Sequence, residues 1–406
     1  MASDGLLVSR QPILDANRRV FGYQLRFHAM DLGAGQGGEA GNSTVPEALE
    51  RGGLDLLTRG RPAFLRLPVT RLGPEVTQAL PPGRVVVEVP CEDWATGVLA
   101  DDCRAFREAG YAVALDNFTL SDETRPLLEL ANFAKLNYLP TPGESRKAAV
   151  DAARETETRI VAKHVEAPEV FDEARREGFT HFQGYFFERP GFHTGRPISA
   201  DKLIYLQLLQ ALSNPNLSLA QVEDIVKRDA ALSYRILRLV NSAGFAQAMH
   251  VASMRHALLL VGRDTVCRWA SLAVIAGLGS AAPDELVVMT TVRARFCELL
   301  ASRLGGVDAT GQGFLVGLCS LLDVMLQQPM AAVLDDLPLA EDVRAALLGH
   351  DNQLRRLLEC VVAYEKADWT GCLDLAGLLD LDPRTLAPAY VNALRWAHEL
   401  QATAKG

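Results

Sequence analysis

The chain of 406 residues carries a net charge of −9, with 49% hydrophobic and 22% charged residues. This composition supplies enough apolar material for two or three cores, and the acidic balance argues against a nucleic-acid-binding surface, which gathers basic residues on one face. No uncharged apolar window reaches the roughly 18 residues that a membrane span needs, and the N-terminus has no leader-like pattern, so we expect a cytoplasmic protein without nucleic-acid or membrane partners.

The N-terminal half alternates apolar strands with helices. Leu6–Val8 predicts a short strand before a turn, Arg19–Arg26 predicts its partner strand, and Asp31–Asn42 predicts a glycine-rich loop. Further strands are predicted at Ala63–Leu67, Arg84–Val89, Tyr111–Leu115, Phe133–Leu136, Thr158–Ala162 and His181–Tyr185, with helices at Val45–Thr58, Trp94–Ala109, Glu123–Leu130, Gly143–Glu155 and Pro168–Glu177. This alternation demands a parallel sheet covered by helices, as a barrel or a doubly wound sheet.

Polar side chains recur where these strands end. They are Gln24 or Arg26, Arg66, Glu88, Asp116, Lys135, Glu166 and Gln183. Because the carboxyl ends of parallel strands meet at one edge, we expect these groups to converge on one site. Carboxylates suit a hard divalent cation and a lysine suits a phosphate, whereas the alternative is a rim of salt-bridged residues without a ligand.

From Ala200 onward the apolar residues follow the 3.6-residue period of amphipathic helices. Helices are predicted at Lys202–Leu212, Ser218–Arg228, Leu232–Val240, Met254–Val261, Asp264–Ala276 and Ala389–Ala402. Short helices stopped by glycine or asparagine are typical of a multi-helix bundle, and the scattered arginines argue against a DNA-binding helix-turn-helix. We therefore predict two domains, residues 1–196 and 197–406.

Seven cysteines are spread along the chain without a CxxC pair. A cytosolic chain of this size needs no disulfides, and structural zinc sites use paired spacings. We predict reduced thiols, mostly in helix cores.

The motifs QPILD, GYQLRF, VVVEVP, ALDNF, NFAKLN, IVAKHVE and FQGYFFERP resemble those of an EAL domain, over about residues 5–195. The resemblance implies a TIM-like (β/α)8 barrel whose first strand runs antiparallel to the others. In its active members, this family hydrolyses cyclic di-GMP with two divalent cations, Mg or Mn.

Against the active pattern of this family, several positions have changed. The resemblance places Gln24 at the signature glutamate, Arg66 at a metal-ligating asparagine, Cys91 at a loop-stabilising glutamate, Asn117 at the second aspartate of a pair, Lys163 at the first glutamate of the AEGVE motif, and His28 at a phosphate-gripping arginine. Glu88, Asp116, Lys135, Glu166 and Gln183 match the pattern. Because added positive charge repels two cations about 3.5–4 Å apart, we expect no metal cofactor and no enzymatic activity, with Lys163 paired to Glu88 or Asp116.

The motifs LSYRILRLVNSAGF, SMRHALLLVGRDTVCRWASL and GFLVGLCSLLDVML resemble an HDOD domain, over about residues 198–370. The resemblance implies an all-α domain without the His-Asp pair of related hydrolases, and Ser320-Leu321 stands where that pair would be. The dipeptide His350-Asp351 is predicted to be a surface turn and Asp323 a half-buried helix acid. Tyr364, Glu365 and Trp369 resemble the ending of an HDOD domain that follows a degenerate EAL domain.

These resemblances predict a catalytically inactive EAL-HDOD scaffold that regulates motility, pili or biofilm through contacts with signalling proteins. One alternative is a metal-independent cyclic di-GMP receptor with nucleotide contacts from Arg26, Lys135 and Gln183. Another is a residual cyclic di-GMP phosphodiesterase. The final helix either caps its own domain or meets another subunit in a homodimer.

Overall fold

A computed structural model describes residues 6–30, 38–39, 53–67, 80–91, 98–189, 209, 218, 220–221, 223–224, 262–278, 283–305, 309–335, 337 and 339–405. The chain divides into two compact units. The first combines Met1–Arg189 with Ala363–Thr370 and Leu386–Pro388, and the second holds Pro190–Val362, Gly371–Thr385 and Ala389–Gly406. The predicted boundary at residue 196 stays a prediction, because residues 190–208 lie outside the described part.

A closed barrel forms the centre of the first unit. Its strands are β1 (Leu6–Asp15), β2 (Val20–Ala29), β3 (Gly38–Glu39), β4 (Ala63–Arg66), β5 (Val85–Pro90), β6 (Ala112–Asp116), β7 (Phe133–Asn137), β8 (Arg159–Lys163) and β9 (His181–Gln183). Strands β2 and β4 to β9 are parallel neighbours in chain order, and β1 closes the ring by pairing antiparallel with β2 and β9. This confirms the expected eight-stranded barrel with an antiparallel first strand, to which β3 adds a short edge on β2.

Alternation along the strands builds the interior in layers. One apolar layer takes a residue from each of six strands, namely Ile13, Phe64, Val86, Ala114, Phe133 and Val161. Two residues further along five of these strands stand Arg66, Glu88, Asp116, Lys135 and Lys163. Because strand side chains repeat with a period of two, these groups share the inward face and form a polar layer at the carboxyl end of the barrel.

Three elements of this unit differ from the sequence predictions. Leu6–Asp15 is one continuous strand, and Pro12 is tolerated in it because β9 pairs only with Ile13–Asp15, which leaves one side of β1 open at Pro12. Gly38–Glu39 is a short strand within the predicted loop. Arg125–Leu130 is a 3-10 helix, entered through Pro126 and a turn in which the Ser121 amide donates to the Thr124 hydroxyl.

The α-helices of this unit are α1 (Leu54–Thr58), α2 (Val98–Glu108), α3 (Gly143–Glu155) and α4 (Pro168–Glu177). Each lies within a predicted helix, although α1 begins only at Leu54, after the non-helical Gly53 of the predicted helix Val45–Thr58. Gly184 follows the last strand at a φ of 155°, and a Cβ there would lie 1.9 Å from the carbonyl oxygen of Val165. Only glycine fits this close approach of β9 to the end of β8.

Helices make up the second unit where it is described. They are α5 (Arg263–Leu278), α6 (Asp284–Leu304), α7 (Ala309–Cys319), α8 (Leu322–Leu326), α9 (Met330–Asp335), α10 (Glu341–Leu347), α11 (Gln353–Glu365), α12 (Trp369–Leu378) and α13 (Leu386–Lys405), the last three with a part in the first unit. The predicted capping box is confirmed, since the Ser218 amide donates to Gln221 Oε1 at 2.8 Å and the Gln221 amide donates to Ser218 Oγ at 3.3 Å. The predicted helices Leu232–Val240 and Met254–Val261 lie outside the described residues, as does Lys202–Leu212 apart from the helical Leu209.

Ala309–Leu326 is the described stretch that is long and apolar enough to span a membrane by composition, with Asp323 as its charged residue. However, 61% of it is buried inside the structure, as in the core helices of a globular unit. The seven cysteines are free thiols, as predicted.

Candidate functional site

A cavity of about 520 Å³ opens at the carboxyl end of the barrel. Its walls are strand ends of the barrel and part of the segment 363–370 that belongs to the same unit. The lining residues are Gln24, Leu25, Arg26, Phe27, His28, Arg66, Glu88, Asp116, Asn117, Asn137, Lys163, His164, Ala367 and Trp369. The expected convergence is present for five of the predicted strand-end side chains, which are Gln24, Arg26, Arg66, Glu88 and Asp116.

Glu88 and Lys135 form the deepest ion pair of the site. The Lys135 side chain is fully buried, and its ammonium donates to Glu88 Oε1. The other carboxylate oxygen accepts from Gln24 Nε2 at 2.6 Å, and Gln24 Oε1 accepts from Gln183 Nε2. An amide at position 24 can donate to a carboxylate, which an ionised glutamate there could not do.

Asp116 carries the second cluster. Lys163 Nζ lies 2.6 Å from Asp116 Oδ1, and Arg66 Nη2 lies 3.1 Å from Asp116 Oδ2. The same ammonium donates to Asn117 Oδ1 at 2.7 Å, from a residue held at a φ of 53° directly after β6. Of the two expected partners of Lys163, Glu88 and Asp116, the structure pairs it with Asp116.

Charge and burial set the ionisation of these groups. Burial would raise the pKa of Asp116, but the ammonium charges of Lys135 and Lys163 hold that pKa well below its usual range. Burial lowers the pKa of Lys163, and the Asp116 carboxylate opposes that shift. Burial also lowers the pKa of His28 and of His164, so both imidazoles are neutral at pH 7.

Two divalent cations do not fit this donor set. The carboxylates of Glu88 and Asp116 already accept from Lys135, Lys163 and Arg66, and an ion placed between them would meet ammonium charge at contact distance. Among the described residues, no group of three or more His, Cys, Asp or Glu side chains has the geometry of a metal site.

The remaining predicted residues lie around or below this centre. Cys91 is buried just after β5, and Glu166 is half-buried three residues after β8. Lys135 and Gln183 lie beneath the cavity and do not line it, whereas Arg26 does. Sequence reasoning missed Asn137 and His164 as wall residues, although each follows or ends a predicted strand and could have been found by the same strand-end argument.

The second unit contains the residues that the resemblance to an HDOD domain singled out. Ser320 accepts from Arg293 at 3.2 Å and donates to the Gly317 carbonyl at 2.8 Å, so it closes a helix end. His350 and Asp351 are exposed, with Arg356 bound to Asp351, as predicted for a surface turn. Asp323 is half-buried at the start of α8, and burial raises its pKa.

Two family models match the sequence. The model described as the EAL domain matches residues 69–190, and the model described as the HDOD domain matches residues 200–332. Both expected resemblances are confirmed, including the helical C-terminal region.

Two curated relatives match nearly the whole chain. One, named cyclic di-GMP phosphodiesterase CdgJ, from Vibrio cholerae serotype O1, is 32% identical over 97% of this chain and 92% of its own length. The uncharacterized protein YuxH of Bacillus subtilis is 28% identical over 97% of this chain and 98% of its own length. Among solved structures, an EAL domain protein from Listeria monocytogenes is 18% identical over 46% of this chain and 88% of its own, with a TM-score of 0.37.

These findings correct one expectation. The changed positions in the barrel predict a protein that is not an enzyme, but a relative that matches across both domains is named a phosphodiesterase. The comparison therefore points to an enzyme, and the prediction of no activity is wrong on this finding.

Proposed function

Because the chain belongs to the EAL-HDOD family, we propose that it acts on cyclic di-GMP, which binds at the mouth of the barrel through cationic side chains of the chain itself. No resident metal ion takes part in this binding. The observation that carries the proposal is the placement of Arg26, Arg66 and Lys163 on one cavity.

The chemistry of the cavity suits a phosphodiester ligand. Cyclic di-GMP carries two anionic phosphates, and guanidinium groups bind phosphate oxygens in a bidentate fork. The Arg66 side chain is 41% exposed, so its guanidinium can reach a ligand while it contacts Asp116. Lys135 and Lys163 neutralise Glu88 and Asp116, which removes the repulsion that two bare carboxylates would exert on a phosphate.

Hydrolysis of the bound dinucleotide is the second candidate function. The specific observation in its favour is the relative named cyclic di-GMP phosphodiesterase, which matches 97% of this chain. The groups around Glu88 and Asp116 do not fit two divalent cations. We therefore propose hydrolysis of the phosphodiester without assigning any step to a metal ion.

Calorimetric titration with cyclic di-GMP in EDTA tests the binding proposal. We expect saturable one-site binding, and a loss of affinity of about 10- to 100-fold in Arg66→Ala, since a hydrogen bond to a charged group contributes about 1.5–3 kcal/mol. Arg104→Ala is the matched control, because Arg104 is an exposed arginine of α2 that pairs with Asp101 away from the cavity. Absence of binding, or equal losses in the two variants, would contradict the proposal.

Product analysis tests the second candidate. Purified protein is incubated with cyclic di-GMP and either magnesium, manganese or EDTA, and the products are separated by chromatography. Appearance of the linear dinucleotide supports hydrolysis. If the ligand binds stoichiometrically but stays intact, the protein acts as a receptor for cyclic di-GMP under these conditions.

A role in regulating motility, pili or biofilm through protein contacts stays a prediction of the sequence. Affinity capture from the native cell, with and without cyclic di-GMP, tests it. We expect to recover one signalling protein in an amount that depends on cyclic di-GMP. Recovery of no signalling protein under either condition would contradict this role.

A further inference from the structure

One wall of the cavity does not come from the barrel strands. Ala367 and Trp369 belong to the segment 363–370, which lies in the first unit although it is distant in sequence. The Trp369 ring stacks on His28 with ring centroids 5.7 Å apart and an interplanar angle of 19°. The barrel mouth therefore carries a pair of nearly parallel aromatic rings.

Several contacts fix this segment to the barrel. The Val8 amide donates to the Tyr364 hydroxyl at 3.3 Å, and the Tyr185 hydroxyl donates to the Glu365 carbonyl at 3.0 Å. The Lys366 ammonium lies 5.3 Å from the centroid of the Tyr185 ring. The position of the segment at the mouth is therefore set by hydrogen bonds at both Tyr364 and Glu365 before any ligand arrives.

The turn that leads to Trp369 is also held. The Ala367 amide donates to the Tyr364 carbonyl at 3.1 Å, and the Asp368 amide donates to the Ala363 carbonyl at 2.9 Å. Ala367 has a φ of 57°, a left-handed conformation that costs a residue with a Cβ atom about 1–2 kcal/mol. A turn kept at that cost places the indole ring at the cavity in a defined orientation.

Packing alone does not account for Trp369. Tyr364 is fully buried and packs roughly perpendicular to the Trp369 ring, with centroids 5.3 Å apart at 87°. Trp369 itself is only half-buried and lines the cavity. One aromatic residue thus anchors the segment, and the other leaves part of its surface facing the space where a ligand binds.

The two kinds of wall select one class of ligand. Arg26 and Arg66 supply donors for anionic oxygens, and the neutral rings of His28 and Trp369 supply flat apolar surface beside them. A molecule with phosphates linked to planar bases satisfies both, and stacking of a base on an aromatic ring contributes about 1–3 kcal/mol.

We propose that Trp369 is a ligand-binding residue that stacks on a guanine base of the dinucleotide held at the barrel mouth, with His28 as the adjacent ring. The proposal rests on cyclic di-GMP binding at this cavity. It assigns to the C-terminal half of the chain a direct part in the specificity of the barrel site.

Titrations of Trp369→Ala and Trp369→Phe with cyclic di-GMP test this role. We expect Trp369→Ala to lose about 5- to 100-fold in affinity, the equivalent of about 1–3 kcal/mol, and Trp369→Phe to stay within about threefold of the parent protein. Leu378→Ala is the matched control, because Leu378 is exposed at the far end of the same helix.

A fluorescence titration separates direct contact from a structural effect. The chain has 4 tryptophans. Saturating cyclic di-GMP is expected to quench part of the indole emission, and Trp369→Phe is expected to lack that part while it still binds. Unchanged affinity in Trp369→Ala, or the same quenching in Trp369→Phe, would overturn the role of Trp369 and leave ligand binding intact. Failure of the unsubstituted protein to bind would instead defeat the proposed function, and this inference with it.

Discussion

Lys135 shows how a single side chain organises the polar layer of the barrel. It is fully buried, its ammonium binds Glu88, and it lies 3.8 Å from Asp116 Oδ1. A buried ion pair of this kind adds little net stability compared with apolar residues, but removing one partner leaves an uncompensated buried charge. Removing one partner should therefore lower the stability strongly, whereas replacing both partners with apolar residues should change it little.

We predict that Lys135→Met lowers the free energy of unfolding by about 3–5 kcal/mol, because Glu88 loses its ammonium partner. The double variant Lys135→Met with Glu88→Leu should recover a substantial part of this loss, since both charges are then absent. Urea-induced unfolding of the single and double variants measures the effect. Additive losses in the double variant would show that the two side chains act independently.

We expect the buried His181 to make the stability of the barrel depend on pH. It packs against Phe21, with ring centroids 4.5 Å apart, and burial together with the charge of Arg159 lowers its pKa to about 4 against a small opposing effect of Asp15. The unfolded chain takes up this proton near pH 6.5 and the folded chain only near pH 4, so the unfolded state binds more protons between these values and stability falls as the pH falls.

From pH 7 to about pH 5, this difference should lower the free energy of unfolding by about 2 kcal/mol. His181→Gln should lose less over the same interval, whereas His350→Gln, at an exposed turn, should behave like the parent protein. Urea titrations at the two pH values provide the measurement. Equal pH dependence in the parent protein and His181→Gln would remove His181 as the cause.

At the residue scale, the sequence predicted which side chains converge but not how they pair. Gln24, Arg66, Glu88 and Asp116 were predicted because strand ends in a parallel barrel meet at one edge, whereas Lys163 entered through the resemblance to an EAL domain. Lys163 was expected to pair with either of two acids, and only the three-dimensional register selects Asp116. The partner of Lys135 was not predicted, because depth within the barrel depends on strand stagger that a single sequence does not encode locally.

Among the elements, α6 and α7 show how glycines set helix packing. A Cβ at Gly317 would lie 2.6 Å from the Arg293 carbonyl oxygen, and one at Gly313 would lie 2.5 Å from the Ala301 Cβ. The two helices approach closely because these glycines, four residues apart on one face, leave room for the opposing backbone. The spacing is visible in the sequence, but the identity of the opposing helix is not.

We predict that Gly317→Ala destabilises the protein by about 1–3 kcal/mol, because the added methyl group forces α6 and α7 apart. Gly377→Ala is the matched control, since Gly377 lies in α12 with open space around its Cβ position. That variant should be neutral or stabilise by up to about 1 kcal/mol, because alanine is the better helix former. Thermal unfolding of both variants provides the test, and a stabilising Gly317→Ala would show that the helix contact tolerates the methyl group.

Across the two units, the sequence predicted a barrel followed by a helical region. The structure shows in addition that the later segments Ala363–Thr370 and Leu386–Pro388 belong to the first unit. Tyr364, Glu365 and Trp369 could be recognised as a motif, but their contacts with Val8, Tyr185 and His28 join positions more than 150 residues apart. Such contacts leave no periodic pattern in the sequence. They are what connects the C-terminal half of the chain to the proposed ligand site.

Ammonium groups of Lys135 and Lys163 stand where a two-metal site would need cations. Binding of Mn²⁺, followed by electron paramagnetic resonance in the parent protein and in Asp116→Asn, tests this placement of charge. Because Lys163 and Arg66 already pair with the Asp116 carboxylate, we expect the two binding curves to superimpose. Two manganese ions bound tightly in the parent protein and lost in Asp116→Asn would contradict it.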